Sequence, residues 1–381
     1  MSSIYVDHAA TTPMVESALL AMTAQLAQLG NPSSLHTHGR ATRKTLEDAR
    51  ETLAKEIGSL PSEVIFTASG TEANNIALKG LYWAGREVGK KIVVISSIEH
   101  HAILDPAHWL ATHEGAEVIE IPVNSDGVIN LDFLKDLVKT RGEEIAVISV
   151  MHANNETGAI QPVSEVVAIA GEIAVHTDAV QSFKKVPLSF AQLGVTAMSL
   201  SAHKIGGPLG IGALILKRGV EIPSLLHGGG QEREIRSGTL NAPSIVAFAT
   251  AATSSYYNAG AVVGLRDRFI SSVQALIPDA VINALAAARL PGIVNVTFPG
   301  TQSDTLLLLM DGQHISCSTG SACSAGVHEA SHVLLAMGHS EISAQSSLRF
   351  SFGATSTASE CDFVVSVLPD VIARGRAANL P

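Results

Sequence analysis

The sequence predicts an α/β protein with a mainly parallel sheet, and two observations lead to this prediction. Between about residues 60 and 220, short apolar segments alternate with segments of helical periodicity. These short segments carry apolar residues on both faces, which is typical of strands buried beneath covering helices. The chain of 381 residues also exceeds the size at which a single core stops growing, so we expect a second, smaller domain.

The predicted elements follow one another along the chain. A strand near residue 66 leads through a small-residue turn into a helix that continues to about Trp83, and six further candidate strands follow at 92–96, 117–121, 145–150, 174–177, 197–200 and 211–216. Beyond about residue 250 the pattern changes to a helix at 255–276, a strand at 293–298, a helix at 304–311 and a strand at 348–352. This mixture predicts a smaller α+β domain.

Composition and charge exclude several classes of protein. There is no apolar run of membrane-spanning length and no basic-then-apolar leader, so we expect no membrane partner and a cytoplasmic location. The net charge of −10 argues against direct nucleic-acid binding. Three cysteines at irregular spacing form neither a disulfide framework nor a four-ligand zinc site, and we expect no metal.

Lys204 and Asp178 together suggest an aldehyde cofactor. Lys204 lies between an apolar strand and a glycine turn, and Asp178 follows a neighbouring strand. Such a lysine can form a Schiff base with pyridoxal phosphate, and the carboxylate can hold the pyridine nitrogen protonated. Asp178 alone could equally be a turn residue. Because ligands of parallel sheets gather at the carboxyl ends of strands, we expect Asn155, Asp178 and Ser201 to Lys204 at one rim.

The turn at residues 66–75 predicts a phosphate-binding helix start. Free backbone N–H groups near Gly70, with the Thr71 hydroxyl, can bind a phosphate. The alternative is an ordinary helix capped by Ser69 or Thr71, with Glu72 opposing the helix dipole.

Cys323 lies in a segment of Gly, Ser, Thr and Ala that offers little bulk for packing, which favours a mobile nucleophile over a buried hydrophobe. A helix expected from about residue 329 or 330 could lower the pKa of the Cys323 thiol. Cys317 and Cys361 lie in apolar contexts and are assigned to packing.

Three further residues have both a functional and a structural interpretation. His100 follows a strand and could stack on a planar ring and move protons, although a lone histidine is more often structural. Asn155 could bind a ring oxygen or a substrate carboxylate. Arg349 could bind a carboxylate as a fork or form a salt bridge between domains. A hydrolase is excluded, because Ser201-x-x-Lys204 and His227-Gly-Gly-Gly lack the companion motifs of β-lactam-reacting enzymes and lipases.

The set of motifs resembles the NifS/IscS-type cysteine desulfurases, which are fold type I pyridoxal phosphate enzymes of the class V aminotransferase family. The resemblance runs from about residue 5 to 353 and includes the segments 5–13, 30–34, 227–233 and 236–240. It implies a seven-stranded sheet in a large domain over residues 13–250. It also implies a small domain formed by residues 1–12 and 251–381, which carries the catalytic cysteine loop at 318–327.

The resemblance also implies a role for each matching residue. Cofactor contacts fall on Lys204, Asp178, Gln181, Asn155 and His100, and phosphate contacts on Gly70, Thr71, Ser201 and His203. Thr239 would reach the phosphate of the other subunit, which implies a homodimer. The substrate would be L-cysteine, and its carboxylate would contact Asn155, Arg349 and Asn31. Cys323 would receive the sulfur as a persulfide, with L-alanine as the product, and pass it to an iron–sulfur scaffold or a tRNA-thiolating enzyme.

The chain departs from the family pattern at residues 327–331, where Val-His-Glu-Ala-Ser replaces the more common Glu-Pro-Ser. It also ends at Pro381, without the longer tail by which some relatives contact a scaffold. The alternatives are a selenocysteine lyase, a cysteine-sulfinate desulfinase or an aminotransferase-like enzyme, none of which requires the thiol. A non-enzymatic sulfur-carrier subunit is disfavoured by the presence of Lys204, Asp178 and His100 together.

Overall fold

The computed structural model describes residues 3–320 and 330–379. Within these ranges the strands are β1 (Ile4–Tyr5), β2 (Val64–Thr67), β3 (Ile92–Ser96), β4 (Glu117–Ile121), β5 (Ile145–Ser149), β6 (Ala174–Asp178), β7 (Ala197–Ser201), β8 (Gly212–Leu216), β9 (Val281–Ile282), β10 (Ile293–Thr297), β11 (Ile315–Ser316) and β12 (Ser347–Ser351).

The helices of the same ranges are α1 (Glu16–Leu26), α2 (Thr37–Ile57), α3 (Gly70–Glu87), α4 (His101–Glu114), α5 (Leu131–Arg141), α6 (Val163–Ala170), α7 (Phe190–Leu193), α8 (Ala242–Thr253), α9 (Ala259–Leu276), α10 (Ser303–Asp311), α11 (His332–Ala336), α12 (Glu341–Ala344) and α13 (Ala358–Ala378). Short 3-10 turns occupy Pro61–Glu63, Gly142–Glu144 and Ala202–Lys204. None of the described helices combines the length and the apolar character that crossing a membrane requires.

Seven strands form the main sheet in the order β2-β8-β7-β6-β5-β3-β4. The five strands from β7 to β4 are parallel, and β8 pairs antiparallel with both of its neighbours, β2 and β7. The prediction of an α/β fold with a mostly parallel seven-stranded sheet is therefore confirmed. One expectation is wrong: β4 is not buried on both faces. It is an edge strand and exposes Glu117 and Glu120, as edge strands often do.

The second half of the chain builds a separate hydrophobic core around a three-stranded antiparallel sheet, β12-β10-β9. Phe269 of α9 packs on Phe350 and Phe352, with ring centroids 4.8 and 5.5 Å apart. Helix α9 begins at Ala259 rather than near residue 255, because the Asn258 side chain accepts a hydrogen bond from the Ala261 N–H and so caps it there.

The N-terminal segment joins this second core. Strand β1 pairs in parallel with β11, and Asp7 bridges to Ser351 at the end of β12. The segment then passes from this core toward the main sheet, where the backbone N–H of Thr12 donates to the His203 carbonyl. Residues 4–12 therefore connect the two cores. The domain boundaries at residues 12 and 250 remain predictions.

A buried ion pair fixes the segment around Glu232 against the main sheet. The Glu232 carboxylate accepts two hydrogen bonds from the Arg50 guanidinium, at 2.7 and 2.8 Å, and one from the backbone N–H of Phe66 at 2.8 Å. Arg50 also lies over the Phe66 ring, 4.8 Å from its centroid. Because Phe66 lies in β2, directly before the turn into α3, this pair supports the strand from which α3 begins.

Candidate active site

A cavity of about 410 Å³ opens at the carboxyl ends of the parallel strands. It adjoins the ends of β6 and β7 and the start of α3, as strand-end ligand sites in α/β sheets do. Ten of the residues predicted from the sequence line it: Gly70, Thr71, His100, Asn155, Asp178, Gln181, Ser201, His203, Lys204 and Arg349.

Lys204 enters this cavity from the 3-10 turn that directly follows β7. Its ammonium donates to the carbonyl oxygens of Ala9 and Ala10 at 2.6 and 2.7 Å. The neighbouring His203 ring makes a 3.1 Å contact between its Nδ1 and the Thr11 Oγ1. Burial, with the nearby charge of Lys204, lowers the pKa of His203 to about 4. The lysine is thus held by backbone groups from the N-terminal segment, and His203 is neutral at pH 7.

Asp178 is the last residue of β6 and is buried. Its Oδ2 accepts a 2.6 Å hydrogen bond from the Asn74 Nδ2, and its Oδ1 accepts one of 2.9 Å from the Val180 N–H. Two donors therefore hold a carboxylate at the cavity wall, in an orientation fixed by helix α3 on one side and the following turn on the other. No role was predicted for Asn74, although this residue lies one turn into the predicted helix.

The start of α3 is both capped and closely packed. Ser69 Oγ accepts the Glu72 N–H at 3.0 Å, so the predicted cap is present. Gly70 is packed so tightly that a Cβ atom there would come within 2.8 Å of Val180 Cγ2 and 3.3 Å of Ser201 Cβ. Only glycine fits at this point. Gly70 and Thr71 both line the cavity, at a helix start of the kind that binds phosphate.

His100 caps the start of α4, and its Nδ1 accepts the Ala102 N–H at 3.0 Å. Burial lowers the pKa of the His100 ring, and the charge of Lys204 lowers it further against the opposing effect of Asp178. The ring is therefore neutral near pH 7, with its proton on Nε2 because Nδ1 is an acceptor. A neutral ring with one fixed tautomer suits stacking and proton movement.

Gln181 and Arg349 complete the wall of the cavity. Gln181 Nε2 donates to the Ala9 carbonyl at 2.8 Å. Arg349 donates from Nη1 to the Asn155 carbonyl at 3.0 Å and from Nη2 to Asp7 at 2.8 Å, which leaves its buried Nε without a hydrogen-bond partner among the described residues. Arg349 therefore has features of both predicted interpretations, because it lines the cavity and is also paired with a carboxylate.

Two predicted site residues of the described part of the chain are not brought to the cavity, and a third lies outside that part. Asn31 and Thr239 are exposed and do not line it. Cys323 lies outside the described residues. The helix expected from residue 329 or 330 begins instead at His332, capped by Ser331, and is only five residues long. The lowering of the Cys323 thiol pKa by this helix stays a prediction.

Glu156 is a buried residue that the sequence analysis did not identify. Its Oε2 accepts a 2.5 Å hydrogen bond from the Ser331 Oγ. The same oxygen lies 2.8 Å from where a Cβ of Gly320 would be, and Gly320, with φ 94°, lines the cavity. Burial raises the pKa of Glu156. One carboxyl group thus contacts chain on both sides of residues 321–329.

Comparisons with known proteins agree with this geometry. Residues 4–364 match the family model "Aminotransferase class-V". The chain is 47% identical to the IscS-like cysteine desulfurase of Mycobacterium tuberculosis, over 99% of this chain and 98% of that protein. A solved NifS-like protein superposes with a TM-score of 0.89 at 36% identity, covering 98% of this chain and 100% of that one. The structure of SspA in complex with cysteine matches with a TM-score of 0.82 at 32% identity, covering 93% and 100%.

Proposed function

This chain belongs to the class V aminotransferase family, and from that premise we infer that it is a pyridoxal phosphate-dependent cysteine desulfurase of the IscS/NifS type, acting on L-cysteine. The observation that carries the inference is the convergence of Lys204, Asp178 and His100 on one cavity, in a chain that aligns over its full length with such enzymes. The assignment of particular residues to particular steps is our proposal.

The residues of the cavity fit the cofactor. Gly70 and Thr71 line the cavity at a helix start suited to a phosphate, and the packing around Gly70 leaves no room for a Cβ. Asp178 offers a buried carboxylate to a protonated ring nitrogen, and Lys204 offers a primary amine in the same cavity. Bound pyridoxal phosphate supplies an aldehyde that combines with amines and a conjugated ring that stabilises negative charge at the substrate Cα.

Each side chain then has a distinct task. Gly70, Thr71, Ser201 and His203 would bind the phosphate, Asp178 the ring nitrogen, and Gln181 and Asn155 the ring oxygen. Asn155 and Arg349, with Asn31, would orient the substrate carboxylate. The orphaned Nε of Arg349 supports this role, because a buried donor without a partner is costly until a ligand oxygen accepts from it.

Lys204 and His100 are the proposed proton carriers. Lys204 Nζ lies next to two backbone carbonyls that can orient it as an amine, ready to take a proton from the substrate Cα and return it to the product. The neutral His100 ring carries its proton on Nε2, and from there it can donate a proton to a group in the cavity and take it back.

We propose Cys323 as the sulfur acceptor. Its thiolate would form an S–S bond to the substrate sulfur while the Cβ–S bond of the substrate breaks. The electron pair of that bond remains on the three-carbon fragment, which takes up protons to become alanine, and the enzyme keeps a persulfide. The residues that flank 321–329 support this proposal. Gly320 lines the cavity, and Ser331 donates a hydrogen bond to Glu156.

A homodimer and a sulfur-accepting protein complete the proposal. Thr239 is exposed and lies away from the cavity of its own chain, as expected of a residue that serves a partner subunit. The acceptor would be an iron–sulfur scaffold or a tRNA-thiolating enzyme. A cytoplasmic enzyme is likewise a proposal, supported by the absence of a disulfide-like cysteine pattern in the sequence.

The decisive experiment incubates the purified protein with L-cysteine and a reductant and measures alanine and sulfide together. We expect equal amounts from the wild type and neither product from Cys323→Ala or Lys204→Ala. Cys317→Ala is the matched control, because burial raises the pKa of Cys317 to about 12 and so leaves it unreactive. This variant should retain full activity.

The outcomes separate the alternatives. Alanine from Cys323→Ala at the wild-type rate would refute Cys323 as nucleophile and favour a lyase that needs no thiol. Release of alanine from selenocysteine or cysteine sulfinate, but not from cysteine, would assign the selenocysteine lyase or desulfinase activity. Loss of activity in Cys317→Ala alone would show that the wrong cysteine has been chosen.

A further inference from the structure

A second cavity lies behind Lys204 and takes no part in the roles proposed above. It has a volume of about 30 Å³ and shares Lys204 and Ala9 with the active-site cavity. Lys185 lines it from the segment after β6, and His8 lines it from the N-terminal segment. Lys204 and two further lysines, Lys184 and Lys185, therefore line one cavity.

A continuous chain of hydrogen bonds joins the two lysines. The Lys185 ammonium donates to Gln181 Oε1 at 3.1 Å, and Gln181 Nε2 donates to the Ala9 carbonyl at 2.8 Å. The same carbonyl accepts from Lys204 Nζ at 2.6 Å. The Ala9 carbonyl can only accept, and Lys185 donates to Gln181 Oε1, so the oxygen of the Gln181 amide faces Lys185. The NH₂ group of Gln181 is thereby directed toward Ala9 and the active-site wall.

The backbone before Lys185 is strained in a way that fixes this arrangement. Lys184 has a φ of 62°, in the left-handed region that a residue with a Cβ adopts only at a cost. Lys184 also lines the cavity, and its side chain forms a 2.8 Å ion pair with Glu56 of α2. Strain of this kind persists where the surroundings enforce it and is typical of functional sites. Here it directs Lys185 to Gln181 and Lys184 to the surface of α2.

The charged surroundings of Lys185 are dominated by cations. Burial, together with the charges of Lys204 and Arg349, lowers the pKa of Lys185 to about 7. His8 and His203 also face this region, and burial lowers the pKa of each to about 4, so both are neutral at pH 7. Placing a buried lysine next to another lysine and an arginine destabilises the fold. Its presence there therefore favours a role in the chemistry.

We propose that Lys185 is a positioning residue that locks the Gln181 amide and, through the Ala9 carbonyl, the catalytic Lys204. This inference rests on the proposed function in taking Lys204 as the residue that carries the cofactor and Gln181 as a donor to the cofactor's ring oxygen. Without Lys185 the amide of Gln181 is free to rotate and present its oxygen to the active site, so the donor toward the cofactor's ring oxygen is lost in part of the molecules. The nearby positive charge is lost as well.

The test compares Lys185→Met, Lys185→Gln and Lys185→Arg with Lys184→Met in the holoenzyme. Without substrate, the visible absorbance of the bound cofactor is titrated with pH. We expect its midpoint to move upward by about one pH unit in Lys185→Met and Lys185→Gln, because a neighbouring cation no longer disfavours protonation. Lys185→Arg should restore most of the shift, since arginine keeps the charge and the donors. Lys184→Met removes the same charge one residue away and should leave the midpoint unchanged.

Kinetics with L-cysteine provide a second measurement. We expect kcat to fall about tenfold in Lys185→Met with KM within twofold, because a disordered donor affects the reacting groups more than substrate binding. An unchanged midpoint in both Lys185→Met and Lys185→Gln, or equal effects of Lys185→Arg and Lys185→Met, would overturn the proposal. The absorbance titration needs no turnover, so its result stands apart from any failure of the desulfurase assignment.

Discussion

The ion pair between Arg50 and Glu232 allows a test of what stabilises strand β2, which leads into the helix start at the active-site cavity. The Glu232 side chain is fully buried, and Arg50 retains 10% exposure. The change Glu232→Ala removes two charged hydrogen bonds to Arg50 and the one from the Phe66 N–H, and it leaves the guanidinium buried without its main partner. Breaking a buried pair on one side typically costs about 3–5 kcal/mol, and we expect a loss in that range.

Glu47 provides the matched control for this prediction. It is the other carboxylate on Arg50, at 3.1 Å from Nε, but its side chain is 49% exposed. The change Glu47→Ala should therefore cost no more than about 1 kcal/mol. The double change of Arg50→Met with Glu232→Leu should recover most of the loss, because it leaves no buried charge behind.

Urea unfolding at one fixed protein concentration measures these differences, since any dimer makes apparent stability depend on concentration. Bound cofactor should be measured in the same samples, because Phe66 leads into the helix start at Gly70. A cost of Glu232→Ala within 1 kcal/mol of that of Glu47→Ala would refute the reasoning. So would a double variant no more stable than Glu232→Ala.

Three further predictions concern packing and pH. Gly70→Ala should abolish cofactor retention, because the new Cβ would come within 2.8 Å of Val180 Cγ2. Gly264→Ala in α9 should raise the melting temperature slightly, because its Cβ would have no atom within 4 Å and alanine favours the helix. Burial raises the pKa of Glu99 to about 8. The neutral Glu99 side chain therefore contributes stability at low pH, and this contribution is lost as the pH rises from about 4.5 through 8. The melting temperature of Glu99→Gln relative to that of the wild type should therefore increase as the pH rises from 5 to 8. Burial lowers the pKa of His176 to about 3, so stability should fall as pH drops from 6.5 toward 3, and His176→Gln should reduce that slope by up to about 1.4 kcal/mol per pH unit.

The elements with strong local signals were predicted well from sequence. Strands β3 and β4 begin and end where the apolar runs predicted, and Lys204 and Asp178 follow from their places beside strands. Local pattern also explains the error at β4, because its three apolar residues resemble those of a buried strand. Only the order of strands, which the short-range pattern does not contain, puts β4 at the edge.

The partners of the site residues could not be predicted in the same way. Lys204 is held by carbonyls 194 and 195 residues away, and backbone carbonyls carry no residue-type signal. Asn74 and Asp178 are 104 residues apart. Glu156 was visible in the sequence only as part of an asparagine-rich turn, since its importance comes from Ser331 and Gly320 meeting at its carboxyl group. Such long-range pairs depend on tertiary structure.

The N-terminal segment imposes an order of events on the nascent chain. Strand β1 pairs with β11, and Asp7 lies 342 residues before its partner Arg349. At about 10 residues per second, roughly half a minute of translation separates the two. Lys204 is synthesised long before Arg349. Asp7 lies between β1 and the carbonyls that hold Lys204, and it has no Arg349 to pair with until that residue has been synthesised. On the ribosome the main sheet can form first, and the active site is completed only when the last quarter of the polypeptide has been released.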